Sequence, residues 1–391
     1  MTEAVVSVRP FIAVVVCVLS VAAATWVLLR PDAPQPRPAR LSITEDILQL
    51  DDHDFAVVNE PREFVFPEDH GPHPEFRTEW WYFTGNTVSS DGKHYGYQFT
   101  IFRQANAKAK TETGSEWETN QIYMAHVALT DTSGNKFHSD EIFARGAAGL
   151  ARVSASPFVA HVNHWSAEGN LISDCTGCLQ LKLQAKADGF SIDLNLKSVK
   201  PVVYQADRGY SQKGHAPGNA SHYYSLTRME TSGHIHIGDR AEAVSGLSWM
   251  DHEWSTSALD DQLVGWDWVS LQFDDGRELM YYQLRTQDGN AFGTSEGTLV
   301  DKNGGTERLR IHEIEFQPVR NWTNPHTRVS YPVSWTLNIP NRNLSLEIEP
   351  VIDNQEHDRI FRYWEGAVKV AGREGADRIV GSGYLELVGY R

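Results

Sequence analysis

Two hydrophobic patterns divide this chain. The first is continuous: residues 10–29, "PFIAVVVCVLSVAAATWVLL", are interrupted only by Pro10, Ser20 and Thr25. About 20 apolar residues are enough to cross a bilayer as a helix. Ala22, Ala23 and Ala24 could form a signal-peptide cleavage site, but Trp26, Val27, Leu28 and Leu29 carry the apolar run past it. That continuation favours an uncleaved anchor over 1–30. "PDAPQPRPAR" then makes a proline-rich spacer, and "LSITEDILQLDDHDF" reads as a short helix, so that 31–60 connects the anchor to the body.

The second pattern has period two. From Glu75, "EWWYFTGNTVSSDGKHYGYQFTIFRQ" alternates aromatic with small or polar residues around Ser-Asp-Gly, a hairpin signal. "QIYMAHVALTDTSGNKFHSDEIFAR", "FSIDLNLKSVKPVVY", "WVSLQFDDGRELMYYQLR", "VSWTLNIPNRNLSLEIEP" and "GSGYLELVGY" repeat the form. Short strands at such intervals, with almost no helical periodicity, predict an all-β sandwich or barrel architecture. "GNTVSSDGKHYGYQFTIFR" and "WDWVSLQFDDGRELMYYQLR" also echo one another, each an aromatic hairpin ending in arginine. The echo predicts two similar domains in tandem, 61–232 and 233–391, with the join near "LTRMETSGHIHIGDRAEA".

The length of 391 residues suits two domains. A net charge of −16 repels phosphate backbones, which excludes nucleic acid as a partner. Cys175 and Cys178 flank a tight turn between two predicted strands, a hairpin staple or a pair of turn thiols rather than a redox motif opening a helix.

Candidate chemistry concentrates in "SGLSWMDHEWS". In a strand, Asp251 and Glu253 share one face while His252 and Trp254 share the other. Protonating a carbon–carbon double bond needs a carboxylic acid kept neutral by apolar surroundings, and aromatic faces to stabilise the cation. Trp254, Trp266, Trp268, Tyr281 and Tyr282 could supply such faces, and His252 could orient the acid or the attacking water. Trp80, Trp81, Tyr82, Trp249, Trp266, Trp268 and Tyr282 are the residues expected to line an apolar ligand. The alternative is a buried polar network at a domain junction, with Arg77 and Arg208 as pairing partners. His234 and His236 share a strand face and could meet His252 around a metal, but no thiolate or His-Glu signature accompanies them, so no metal or cofactor is expected. Ser255 lies outside any Gly-x-Ser-x-Gly elbow, which leaves a serine hydrolase without its nucleophile.

"HPEFRTEWWYFTGN", "ADRGYSQKG", "HYYSLTRMETSG", "SGLSWMDHEWS", "WDWVSLQFDDG" and "YWEGAVKVAG…GSGYLELVGY" together resemble the AttH-like proteins, lipocalin-like relatives of the carotenoid 1,2-hydratases (CrtC-like). The likeness runs from about His73 to Arg391. It implies two lipocalin-like barrels and an envelope location, often beside an ABC-transporter permease. The basic residues Arg30, Arg37 and Arg40, set against Arg9, would keep the body in the cytoplasm, whereas the resemblance implies export from the inner membrane. It also matches His252 and Trp254 to the His-x-Trp pair of the hydratases. Their acid is an aspartate two residues after a tyrosine; here Tyr281 is followed by Gln283, and Asp267 is the substitute. The expected function is therefore that of an anchored, exported protein binding a lipid or isoprenoid, accessory to an ABC transporter. A hydro-lyase of carotenoid-hydratase type and a packed structural partner of an ABC permease are the alternatives.

Overall fold

The structure, a computed structural model, describes residues 55–106, 115, 117–256 and 262–391. The apolar run 10–29, the proline-rich spacer and the short helix expected over 41–54 lie outside the described residues. Among the described residues no helix is long and apolar enough to cross a membrane.

Two antiparallel sheets of thirteen and ten strands make up the body, forming a nearly closed barrel and a half-barrel of lipocalin-like type. Each sheet is built the same way, with its first strand paired to its last. Thr78–Ser89 pairs with Arg240–Ser255 in the first sheet, and Leu263–Phe273 pairs with Asp377–Leu387 in the second. The two echoing sequences are the opening hairpins of these sheets.

The sheets change over later than the sequence suggests. Residue 232 lies inside the strand Ala220–Ile237, paired to Ser245 on one side and Asn195 on the other. That strand and Arg240–Ser255 form one long hairpin, and the second sheet starts only at Leu263. The glycines around 232 explain the difference. Gly233 is needed for close strand approach, since a Cβ there would meet the Asp193 carbonyl oxygen at 2.2 Å. Gly238, at φ 57°, makes the hairpin turn itself.

Alternation fills both interiors. In Phe190–Ser198, Phe190, Ile192, Leu194 and Leu196 point inward and join Trp81, Phe83, Phe99 and Trp165 in the first core. Trp335, Trp364, Leu346 and Val368 anchor the second. A separate apolar cluster lies between the sheets, where Tyr82, Tyr223 and Trp249 of the first meet Trp268, Tyr282, Phe292 and Tyr384 of the second. Polar clamps flank it. Lys200 Nζ reaches Glu278 Oε2 at 2.7 Å, and Gln272 Nε2 donates to the carbonyls of Thr227 and Ser248 at 2.7 and 3.0 Å. Cys175 and Cys178 are joined as a disulfide at the turn before Leu179–Ala187.

Candidate active site between the barrels

The strand Arg240–Ser255 separates its polar residues by alternation. Met250 and His252 face the first barrel's interior, and Trp254 packs with the segment that covers it; Trp249, Asp251 and Glu253 face the second sheet.

The inward group is a closed charge network. Glu79 Oε1 is bonded by His73 Nδ1 at 2.7 Å and His252 Nε2 at 2.9 Å, and Oε2 accepts from Arg103 Nε at 2.8 Å and the His73 amide at 2.9 Å. His73 Nε2 continues to Asp69 Oδ1 at 3.1 Å, and Arg62 holds both Asp69 oxygens at 2.9 Å. His252 Nδ1 lies 3.0 Å from the Asp69 carbonyl, and Trp254 stacks on His73 at 3.8 Å. Burial alone would raise the Glu79 pKa, but Arg103 and the two imidazoles outweigh it and hold the carboxyl well below its usual range. Burial also opposes the charge on His73, yet its bonds to Asp69 and Glu79 lift it to about 9. His252 is pushed down, chiefly by burial. The ligating atoms of His73, Glu79 and His252 lie within 4.8 Å of one another, close enough for a metal. However, Arg103 and a protonated His73 already balance the carboxylate, and their bonds use the same atoms. This group therefore ties the segment 62–77 to the barrel.

The outward group has the opposite electrostatics. Asp251 accepts from Tyr223 Oη at 2.8 Å, Ser225 Oγ at 2.5 Å and Trp249 Nε1 at 2.6 Å, all neutral donors. Burial raises its pKa to about 7 against those three bonds, helped by the charge of Glu253. From the second sheet come Glu365 and Glu386, directly opposite one another on paired strands. Glu386 accepts from Trp266 Nε1 at 3.0 Å and is likewise pushed up to about 7 by burial, with Asp251 and Glu253 adding to the shift. Neither Glu365 oxygen has a hydrogen bond of ordinary geometry. Burial and the neighbouring Glu386 push Glu365 well above the carboxylate range, while the hydroxyls of Tyr82 and Tyr363 face it and oppose the shift. Tyr82 feels Glu365, Glu386 and Asp251 together, which places it at the centre of the acids. Lys213 pairs with Glu253 at 2.9 Å and sits 4.2 Å over the Tyr282 ring, at one edge of the site.

Three buried carboxyls with pKa values raised to different degrees, set among indoles and phenols, make a proton-donating site. An acid kept neutral can protonate, and one poised near neutrality can accept. Two surface pockets, of about 230 and 310 Å³, lie over the Ala151–Leu171 hairpins and include none of these acids.

Of the residues expected from the sequence, Asp251, Trp80, Tyr82, Trp249, Trp266, Trp268 and Tyr282 belong to this junction. The others are separated from it by the thickness of a sheet. Trp81 is core, stacked 4.7 Å from His252, and His252 and Trp254 belong to the inward network. Asp267 and Tyr281 point into the half-barrel. There Asp267 is directly opposite Gln283 and is held by Arg285 at 2.8 Å, Gln283 at 2.9 Å and Tyr390 at 2.9 Å, on the other side of the sheet from the junction. Arg208 is exposed and pairs with Asp207 instead of the cluster. His234 and His236 are exposed, at the other end of the ladder from buried His252. Glu365, Glu386, Glu79 and Arg103 were not anticipated. A signal was present for the first two, since each is a carboxylate within an otherwise apolar strand, "YWEGAV" and "YLELV".

A model of the AttH-like family matches residues 57–390. The chain belongs to the AttH-like family. Its body resembles the crystal structure of a putative AttH from Nitrosomonas europaea with 31% identity and a TM-score of 0.75, over 86% of this chain and 100% of the other. Kievitone hydratase from Nectria haematococca shares the fold at 16% identity and a TM-score of 0.63, over 86% and 96% of the two chains. Dehydratase asqC from Emericella nidulans is 21% identical over 218 residues, which is 53% of this AttH-like chain and 61% of the dehydratase. The match thus spans less than two thirds of that relative.

Proposed function

We propose that this AttH-like protein is a hydro-lyase, adding water to or removing it from a carbon–carbon double bond of an apolar, isoprenoid-like substrate bound between the barrels. The observation that carries the reading is the set of three buried carboxyls at the aromatic junction, two of them raised to about 7 and held by neutral donors. The hydratase and dehydratase relatives support the reaction class. Glu365 transfers its proton to one alkene carbon, leaving a cation on the other. Trp249, Trp268 and Tyr82 face that charge. Water adds to the cation, and its surplus proton passes to the Asp251 carboxylate. Glu365 ends the turnover ionised, and the acids are buried, so both substrate entry and proton return need a route through the junction.

The roles dictate a pH profile. Glu365, pushed up by burial and the neighbouring Glu386, is the proton donor, whereas Asp251 must be ionised to accept the proton. Hydration should therefore rise with pH through about 7 and then level off. The test is incubation with an acyclic isoprenoid alkene in ¹⁸O-enriched water, with mass spectrometry of the product. An alcohol carrying the label, formed faster above neutrality, is expected. Alkene recovered bound but unchanged would overturn the hydro-lyase reading and leave apolar-ligand carriage, which the same aromatic junction would support.

Export, anchorage through 10–29 and an ABC permease as neighbour complete the proposal; they rest on the apolar run and the family resemblance. An alkaline phosphatase fusion after Arg40 is expected to be active in membranes. An inactive fusion would put the body in the cytoplasm.

A further inference from the structure

Glu365 must regain a proton after each hydration, and the structure offers a line of groups leading from it to the surface. Tyr363 is two residues before Glu365 on the same strand, so both side chains take the same face. The Tyr363 hydroxyl is 2.8 Å from His126 Nδ1. His126 belongs to the first sheet, in Gln121–Asp131, and is directly opposite Glu141 on the next strand. Its Nε2 is 3.7 Å from Glu141 Oε2. Glu141 is the outermost member, its side chain 10% exposed against 0% for His126, and its other oxygen accepts from the Ile360 amide at 2.7 Å.

We propose that Glu141, His126 and Tyr363 form the path by which Glu365 exchanges its proton with solvent. Two features distinguish this line from ordinary packing. His126 Nε2 and Glu141 Oε2 are both buried without a hydrogen bond and face each other across a gap that a small turn of Glu141 would close. A pair kept only for stability would be expected to close it, because unmade buried bonds are costly. The imidazole is also kept uncharged: burial, and then His357 stacked on it at 4.5 Å, push its pKa well below the usual value. A neutral imidazole has one donor and one acceptor nitrogen, as a relay needs.

In the inward direction, Glu141 delivers a proton to Nε2, Nδ1 releases its own to the Tyr363 oxygen, and the Tyr363 hydroxyl proton passes to Glu365. One proton enters and one arrives, which leaves His126 with its proton on Nε2, and transfer in the outward direction returns it to Nδ1. Glu386, Tyr82, Tyr363 and Tyr384 are the titratable groups that face Glu365, and burial pushes the three phenols well above their ordinary range, so they hold their own protons.

The relay serves the hydro-lyase reading, but its test uses no substrate, so the two can fail separately. The carbonyl stretch of a protonated carboxyl absorbs above the amide bands and shifts when its hydrogen is exchanged for deuterium. Glu365→Gln should remove one such band and so assign it. After transfer to heavy water, the shift of that band should be slowed about tenfold or more by His126→Phe, by Glu141→Gln and by Tyr363→Phe. Tyr363→Phe removes a single oxygen and guards against misfolding of the His126 variant. Global amide exchange should be unchanged, which a merely structural role would not predict. A Glu365 band that shifts at the parental rate in folded Tyr363→Phe, or no band lost in Glu365→Gln, would overturn the relay.

Discussion

Glu79→Gln is expected to lose about 3–5 kcal/mol of folding stability, because it leaves the buried Arg103 guanidinium and His73 imidazolium without their counter-charge. Glu79 is fully buried and receives four hydrogen bonds, from His73 twice, His252 and Arg103. The linkage has a definite sign. Glu79 is depressed, so its contribution is present above its unfolded pKa and is lost as pH falls toward its folded one. His73 is raised from 6.5 to about 9, so its contribution is complete below 6.5 and is lost as pH rises through about 9. The network is thus most stabilising between the ordinary carboxylate and histidine ranges and weakens in alkali. Urea unfolding of the parent and Glu79→Gln at several pH values checks this. A difference below about 1 kcal/mol would mean that the network does not hold the 62–77 segment.

On the other face of the same strand, Asp251→Asn should lower the rate of water addition by about 10²–10⁴, the usual worth of a positioned acid or base. Its effect on stability should be small, about 1 kcal/mol, because asparagine keeps the size and one acceptor for the Tyr223, Ser225 and Trp249 donors. His252→Gln should do the reverse, disturbing the Glu79 network while leaving the chemistry almost intact. Kinetics and melting curves on these two neighbours therefore separate a proton-transfer site from a structural network, although the residues adjoin in sequence. Full activity in Asp251→Asn would remove Asp251 from the reaction.

The all-β class and the tandem repeat were legible because the side-chain period of a strand is two and Asp-Gly turns mark its ends. The same rule splits "MDHEW" into two faces. Gly233 and Gly238 look alike in sequence, yet Gly233 lies within a paired strand and only Gly238 makes a turn, so strand pairing runs past residue 232. The acids were legible only in part. Asp251 stood out through its neighbours, whereas Glu365 and Glu386 each look like a single polar residue in an apolar strand.

By itself, then, the sequence determined the strand period, the repeated opening hairpin and the opposed faces of Asp251 and His252, since all three follow from local backbone geometry. Tertiary structure decided which face meets which partner. Glu79 reaches His252 across 173 positions, and Trp268 lies against Tyr223 across 45. Asp267 is next to Trp268 in the chain but on the opposite side of its sheet, where Arg285 neutralises it. A carboxyl's charge is set by the dielectric and donors around it, and those arrive from distant strands only when the two sheets pack.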